Sequence, residues 1–252
     1  LVGVAFKMSW IPFHMWTPDV YQGAPTPVTN FLATLSKGAM FFALSRLVID
    51  GQLYQYSSLL NALSAVAIAS MLIGNWLALR QQQIKRLLAY SSTAHFGYLL
   101  IIIIALPNLA ETAQTLSLGR AAISYYLAAY ILTTLAALTV VNNIGDENDT
   151  DMKAYTGLFW RQPAQAATLT VAMFSFAGIP LTAGFIGKFY VIMLSINAEL
   201  WWLLTALVAG SAIGIYYYLR VIFTMTKVIE GAPQHPHTEL KWRDPLAIFL
   251  ML

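Results

Sequence analysis

Apolar runs of about membrane-crossing length, separated by short polar turns, recur along the whole chain. A helix needs roughly 20 mostly apolar residues to cross about 30 Å of hydrocarbon. On that ruler the pattern predicts segments at 2–11 (continuing past Pro12), 31–49, 59–79, 87–106, 121–141, 164–196 and 200–226, with an eighth starting at Pro245. Turns such as Asp50-Gly51-Gln52 and Pro107-Asn108 punctuate them. Runs this long and this poor in charge argue against a soluble bundle of buried helices. The fold class predicted is all-α, a polytopic membrane helix bundle.

Strict alternation of the segments places Arg80, Lys85, Arg86, Lys153, Arg161, Arg220, Lys227, Lys241 and Arg243 on one side. Only Arg46 and Arg120 fall near the other, and the three remaining lysines lie inside segments. Nine against two is the asymmetry of the positive-inside rule, with the richer side cytoplasmic. Two segments are irregular. In the first, Pro12 follows closely on Lys7, and the sixth is about 50 Å long at 1.5 Å per residue, too long for one straight crossing. The sixth contains Ala177-Gly178-Ile179-Pro180-Leu181-Thr182, where proline removes a backbone donor and clashes with the preceding turn. These are either ordinary proline kinks at Pro12 and Pro180 or discontinuous helices at equivalent places of two inverted repeats. Transporters break helices in that way so that freed backbone groups line a wet cavity.

Composition narrows the chemistry. Of 252 residues 58% are hydrophobic and 10% charged, against about 25% charged in soluble domains. There is no cysteine, hence no disulfide or thiolate site, and four scattered histidines offer little to a metal. The net charge of +3 is small and its basic residues do not cluster, so no nucleic-acid partner is expected. The chain shows no phosphate loop, dinucleotide fingerprint, zinc pattern or nucleophile elbow. It begins and ends inside apolar runs without a cleavable leader pattern, which suggests a piece of a longer protein.

The candidate residues are lysines in the hydrocarbon: Lys7, Lys37 and Lys188. An intramembrane lysine costs at least about 2.5–3.5 kcal/mol on insertion scales, so its default reading is functional. Burial disfavours a charged amine, and a lysine so placed can exchange protons near neutral pH, which arginine does not do. The bland alternative is snorkelling to the headgroups. All eleven acidic residues lie in loops or at segment ends, so a counter-ion is expected from outside this chain. His14, seven residues after Lys7, and His95, early in the fourth segment among Ser91, Ser92 and Thr93, are either proton relays or packing histidines. The Tyr216-Tyr217-Tyr218 and Trp201-Trp202 runs suit an interfacial aromatic belt, and His235 and His237 a solvated loop.

Four strings carry a family resemblance: Phe13-His14-Met15-Trp16-Thr17-Pro18-Asp19-Val20-Tyr21-Gln22-Gly23-Ala24-Pro25, Ile84-Lys85-Arg86-Leu87-Leu88-Ala89-Tyr90-Ser91-Ser92, Leu158-Phe159-Trp160-Arg161-Gln162-Pro163, and Gly178-Ile179-Pro180-Leu181-Thr182-Ala183-Gly184-Phe185-Ile186-Gly187-Lys188-Phe189. They resemble the subunit N family of proton-translocating NADH–quinone oxidoreductase (respiratory complex I), called subunit 2 in mitochondria. Sister subunits and multisubunit sodium/proton antiporters share the plan but usually continue the first string as leucine-proline-aspartate-alanine.

The resemblance implies an antiporter-like fold of fourteen helices with two inverted five-helix repeats. Residues 1–49 would be the last two helices of the first repeat, 50–226 the second, and 227–252 a cytoplasmic loop with the start of the final helix. It implies proton translocation through Lys7, Lys37, Lys188, His14 and His95, with a glutamate partner upstream of Leu1. No cofactor is expected in this chain. NADH, FMN, iron–sulfur clusters and quinone are expected elsewhere in the complex, and the partners would be its antiporter-like and small membrane subunits and the lipid of the inner cell membrane. A stand-alone sodium/proton antiporter component and a structural membrane scaffold are the alternatives.

Overall fold

The computed structural model describes residues 2–106, 113–144 and 151–228, and all of its regular elements are helical. The helices are α1 (Val2–Met8), α2 (Trp16–Gly23), α3 (Thr26–Phe31), α4 (Lys37–Asp50), α5 (Ser57–Leu79), α6 (Ile84–Ile104), α7 (Ala113–Ile144), α8 (Leu158–Arg161), α9 (Pro163–Ala177), α10 (Ala183–Asn197) and α11 (Trp201–Thr226). A widened π turn, Leu32–Ser36, joins α3 to α4. Thr26–Asp50 is therefore one continuous crossing of 25 residues. Together with α5, α6, α7 and α11 it makes five helices long and apolar enough to span a bilayer. The chain is a multi-pass membrane protein. His235, His237, Lys241, Arg243 and the segment from Pro245 lie outside the described residues, as does the Pro107-Asn108 turn.

Both irregular segments are broken, not merely kinked. The sixth divides into α9 and α10, 15 residues each and so about 22 Å long, and neither crosses alone. The first divides into α1 and α2 around a turn in which Ser9 has φ 62°. His14 sits in that turn, so the seven-residue step from Lys7 is not two turns of a continuing helix.

α6 is the axis of the bundle. Every one of its residues except Arg86 is buried, and it touches α2, α5, α7, α10 and α11. A helix that is apolar or small on all faces belongs inside. The closest approach is to α5: a Cβ on Gly97 would stand 2.9 Å from Met71 Cγ and 3.2 Å from the Ala67 carbonyl. Small residues at such crossings let membrane helices reach backbone contact.

One end of the bundle is knitted together by basic residues. Arg220 donates to the Leu79 (3.1 Å) and Gln81 (2.5 Å) carbonyls of the α5–α6 turn. Met152 N–H donates to the Gln82 carbonyl at 2.8 Å, and Arg161 donates to the carbonyls of Ala154 and Thr156. Arg80, Lys153, Arg161 and Arg220 thus share one end. Arg46 and Arg120 line a common cavity at the other.

Candidate functional site

The site grows out of the broken helix α9–α10. A helix leaves its last four carbonyls without intrahelical donors. Here Gly178 N–H serves Phe174 (3.0 Å) and Ser175 (3.1 Å), while Lys188 Nζ donates to Phe176 and Ala177, each at 2.9 Å. The lysine lies on α10 and caps the C-terminus of α9, where the helix dipole presents its negative end to a cation. Gly178 makes this possible twice over. Its φ of +78° is a left-handed cap that side chains disfavour, and a Cβ there would lie 2.8 Å from Lys188 Cδ. Lys188 is 6% exposed, with Nζ 5.4 Å from the centre of the Tyr98 ring. Pro180 stands at the exposed outer edge of the break.

Lys37 begins α4 immediately after the π turn, an irregularity that recurs at functional sites. It is 1% exposed, and Nζ donates to Ser92 Oγ of α6 at 2.8 Å between the rings of Tyr21 and Phe96. Ser92 in turn donates to the Ala89 carbonyl at 2.6 Å. One turn further along α6, His95 is held at both nitrogens: Nδ1 shares a hydrogen bond with Tyr126 OH (2.9 Å) and Nε2 with Tyr218 OH (3.2 Å). Tyr218 is also hydrogen-bonded to Ser91. A cavity of about 10 Å³, room for the centre of one water, lies among His95, Tyr126, Thr133 and Ser175, and Thr133 and Ser175 hydrogen-bond each other at 3.0 Å.

The first break is built differently. The Phe6 carbonyl accepts from the Trp16 indole (2.9 Å) and from Ser9 N–H (3.0 Å), and Ala5 accepts from Trp10 N–H (3.0 Å). Lys7 is not needed there. It makes no hydrogen bond or ion pair with any described residue, yet its charge is near enough to Lys37 to repel it. Pro12 follows in the turn, and His14 packs its ring 6.2 Å from that of Tyr90. α6 therefore brings Lys37, His95 and Lys188 around itself, with Lys7 behind Lys37. His14 stands apart at the first break.

Three expectations need correction. Tyr217 and Tyr218 are buried at 1% each and only Tyr216 faces outward, so two of the three are core groups instead of interfacial anchors. Tyr217 donates to Asn75 Oδ1 at 2.8 Å, and Asn75 donates to Tyr98 OH at 2.8 Å. Lys85, counted among the surface charges of the basic end, is wholly buried, with Nζ donating to the Ala24 carbonyl at 3.1 Å. His95 lies midway along α6, because the helix starts at Ile84. Sequence reasoning also missed Arg86, which donates to Asp19 (2.6 Å) and Gln22 (2.9 Å). The signal was available: these residues sit in the two resemblance strings at 13–25 and 84–92. Their joint presence is a contact between α2 and α6. Neither Lys37 nor Lys188 pairs with a carboxylate among the described residues, and no three histidine, aspartate or glutamate side chains there form a metal cluster.

Two half-helices meeting at a buried lysine, beside a central helix with polar groups at its core, define an antiporter-like membrane fold. The chain belongs to the NADH:quinone oxidoreductase/Mrp antiporter transmembrane family, whose model matches residues 1–214. It is 54% identical over 229 residues to NADH-quinone oxidoreductase subunit N of Ectopseudomonas mendocina, covering 89% of this chain and 44% of that protein. A chain of respiratory complex I from Thermus thermophilus superposes with TM-score 0.81 at 35% identity, over 99% of this chain and 53% of the other. A chain of the membrane-bound sulfane sulfur reductase, an archaeal respiratory membrane complex, gives TM-score 0.79 at 26% identity, over 99% and 50%. A chain of the Mrp complex from Dietzia sp. shares the fold at TM-score 0.79 and 22% identity, over 90% and 41%. The chain spans about half the length of these relatives.

Proposed function

We propose that this chain is proton-translocating machinery of an NADH–quinone oxidoreductase subunit N, embedded in the inner cell membrane beside other membrane subunits of the complex. Lys37, His95 and Lys188 hold and pass protons along α6, and redox chemistry with NADH, FMN, iron–sulfur clusters and quinone takes place on other subunits. The observation that carries this reading is Lys188 at the break. Its ammonium is held by two carbonyls left over by α9, a cradle that keeps a cation in hydrocarbon. The same carbonyls accept from a neutral amine, so a proton can leave without collapse of the break.

Lys37 rests on a hydroxyl instead. Lys7 is unpaired among the described residues and lies close enough for its charge to repel one on Lys37. A carboxylate that draws near Lys7 from outside this chain would relieve that repulsion and load Lys37. His95, with a tyrosine hydroxyl on each nitrogen, passes protons between the centre and one surface. His14 would serve the first break. In this reading 1–49 closes a first repeat, 50–226 forms the second, and 227–252 leads into a final helix.

The test uses inverted membrane vesicles containing the intact enzyme with Lys37→Met or Lys188→Met. NADH-driven acidification should fall while the NADH dehydrogenase reaction with a soluble acceptor persists. Full acidification in both variants would sink the reading. Acidification that depended on sodium in the wild type would favour antiport.

A further inference from the structure

The positive-inside rule depletes the outer end of the bundle of basic residues. Arg46 and Arg120 are the two placed there, 74 positions apart in sequence, and they open onto one cavity of about 400 Å³ between α4 and α7. The Arg46 guanidinium is 3.4 Å from Asp50, its neighbour one turn on, and both are well exposed. Arg120 pairs with no carboxylate among the described residues. Among the described residues, two guanidinium groups against one carboxylate leave the cavity one positive charge in excess. Its walls are Phe42, Ile49 and Ile123, with the hydroxyls of Ser45 and Ser124 between them. Both hydroxyls donate to carbonyls of their own helices.

A cavity at the end of two membrane-spanning helices, one wall apolar and the mouth cationic by one unit, matches a singly charged phosphodiester carrying acyl chains. Arginine binds phosphate oxygens in a bidentate fork, and basic pockets between membrane helices take acidic lipid headgroups. We propose that Arg46 and Arg120 form an outer-leaflet site for the phosphodiester headgroup of an anionic phospholipid, with the glycerol and upper acyl chain against Phe42, Ile49 and Ile123. The lipid would tie the outer end of α4, the helix of Lys37, to α7, the helix of Tyr126 and Thr133.

The intact protein, purified from membranes with the subunits that accompany it, is incubated with phosphatidylglycerol or phosphatidylcholine and weighed by native mass spectrometry. Phosphatidylglycerol should be retained in preference to phosphatidylcholine. Arg46→Gln and Arg120→Gln should each lower its retention by about tenfold, the loss expected for one charge-assisted hydrogen-bonding partner. Arg80→Gln at the opposite end should not. If Arg120→Gln fails to accumulate, Arg120→Lys serves, with retention between that of the wild type and Arg46→Gln. Equal retention of the two lipids, or retention unchanged in the glutamine variants, would overturn the proposal. Displacement of the lipid by inorganic phosphate alone would assign the site to a free anion and would equally overturn it.

Discussion

Gly178→Ala tests the break itself. The wild-type residue holds φ +78°, and a left-handed conformation costs a residue with a Cβ about 1–2 kcal/mol. The new methyl group would meet Lys188 at 2.8 Å from Cδ, 3.3 Å from Nζ and 3.4 Å from Cε. A free lysine would swing aside, but this one is pinned by two carbonyls at 2.9 Å. Moving Nζ out of reach of one of them forfeits a hydrogen bond to a charged group, worth about 1.5–3 kcal/mol. The two losses together come to about 2.5–5 kcal/mol. In a unit of this size that lowers the unfolding midpoint by roughly 5–20 °C. Gly178→Asn separates them, because asparagine tolerates the left-handed region while its Cβ meets the same lysine. The assay is thermal unfolding of the purified intact protein, paired with proton uptake in vesicles. Asparagine should recover part of the stability without recovering transport. If alanine matched the wild type in both measurements, the cradle would not be the organising feature of the site.

Ser92→Ala removes the acceptor of Lys37 Nζ, and transport should slow at a stability cost of about 1–3 kcal/mol; vesicle acidification and a melting curve measure the two. Lys37→Arg keeps the charge but cannot release it near neutral pH, so acidification should be lost while the protein still accumulates in membranes. Tyr218→Phe breaks the bonds to His95 and Ser91 and should cost about 0.5–1.5 kcal/mol for each, with slower proton uptake. Arg86→Gln, at the exposed α2–α6 contact with Asp19, should cost no more than about 1 kcal/mol, an effect that fades in high salt.

The spans were legible because hydrocarbon demands length and apolarity, and both can be counted along the chain. The irregularity at 178–182 was legible for a backbone reason, since Pro180 removes a donor from the helical ladder. Whether it kinks or breaks the helix was not legible, and is decided by Gly178 and Thr182 capping two separate helices. What could not be read was which face of each helix turns inward. Lipid is as apolar as a protein core, so α6 and α11 carry no stripe of polarity to set their rotation. Tyr217 and Tyr218 therefore looked like headgroup anchors until Asn75, Ser91 and His95 were found beside them. Lys188 was identifiable as a buried lysine, but its partners are backbone carbonyls, which have no signature in sequence. The unlike construction of the two breaks was equally hidden. It depends on Trp16 reaching back to Phe6, a contact across ten residues that only the folded turn brings about.

The central claim is that the buried lysines move protons. It is tested most directly by Lys188→Arg in the intact enzyme reconstituted into liposomes, with protons translocated counted against NADH oxidised. Arginine preserves the positive charge and offers hydrogen-bond donors to the Phe176 and Ala177 carbonyls, yet it does not give up its proton. The account predicts a lower ratio of protons to NADH or a turnover that stalls with it. An unchanged ratio at unchanged turnover would contradict it.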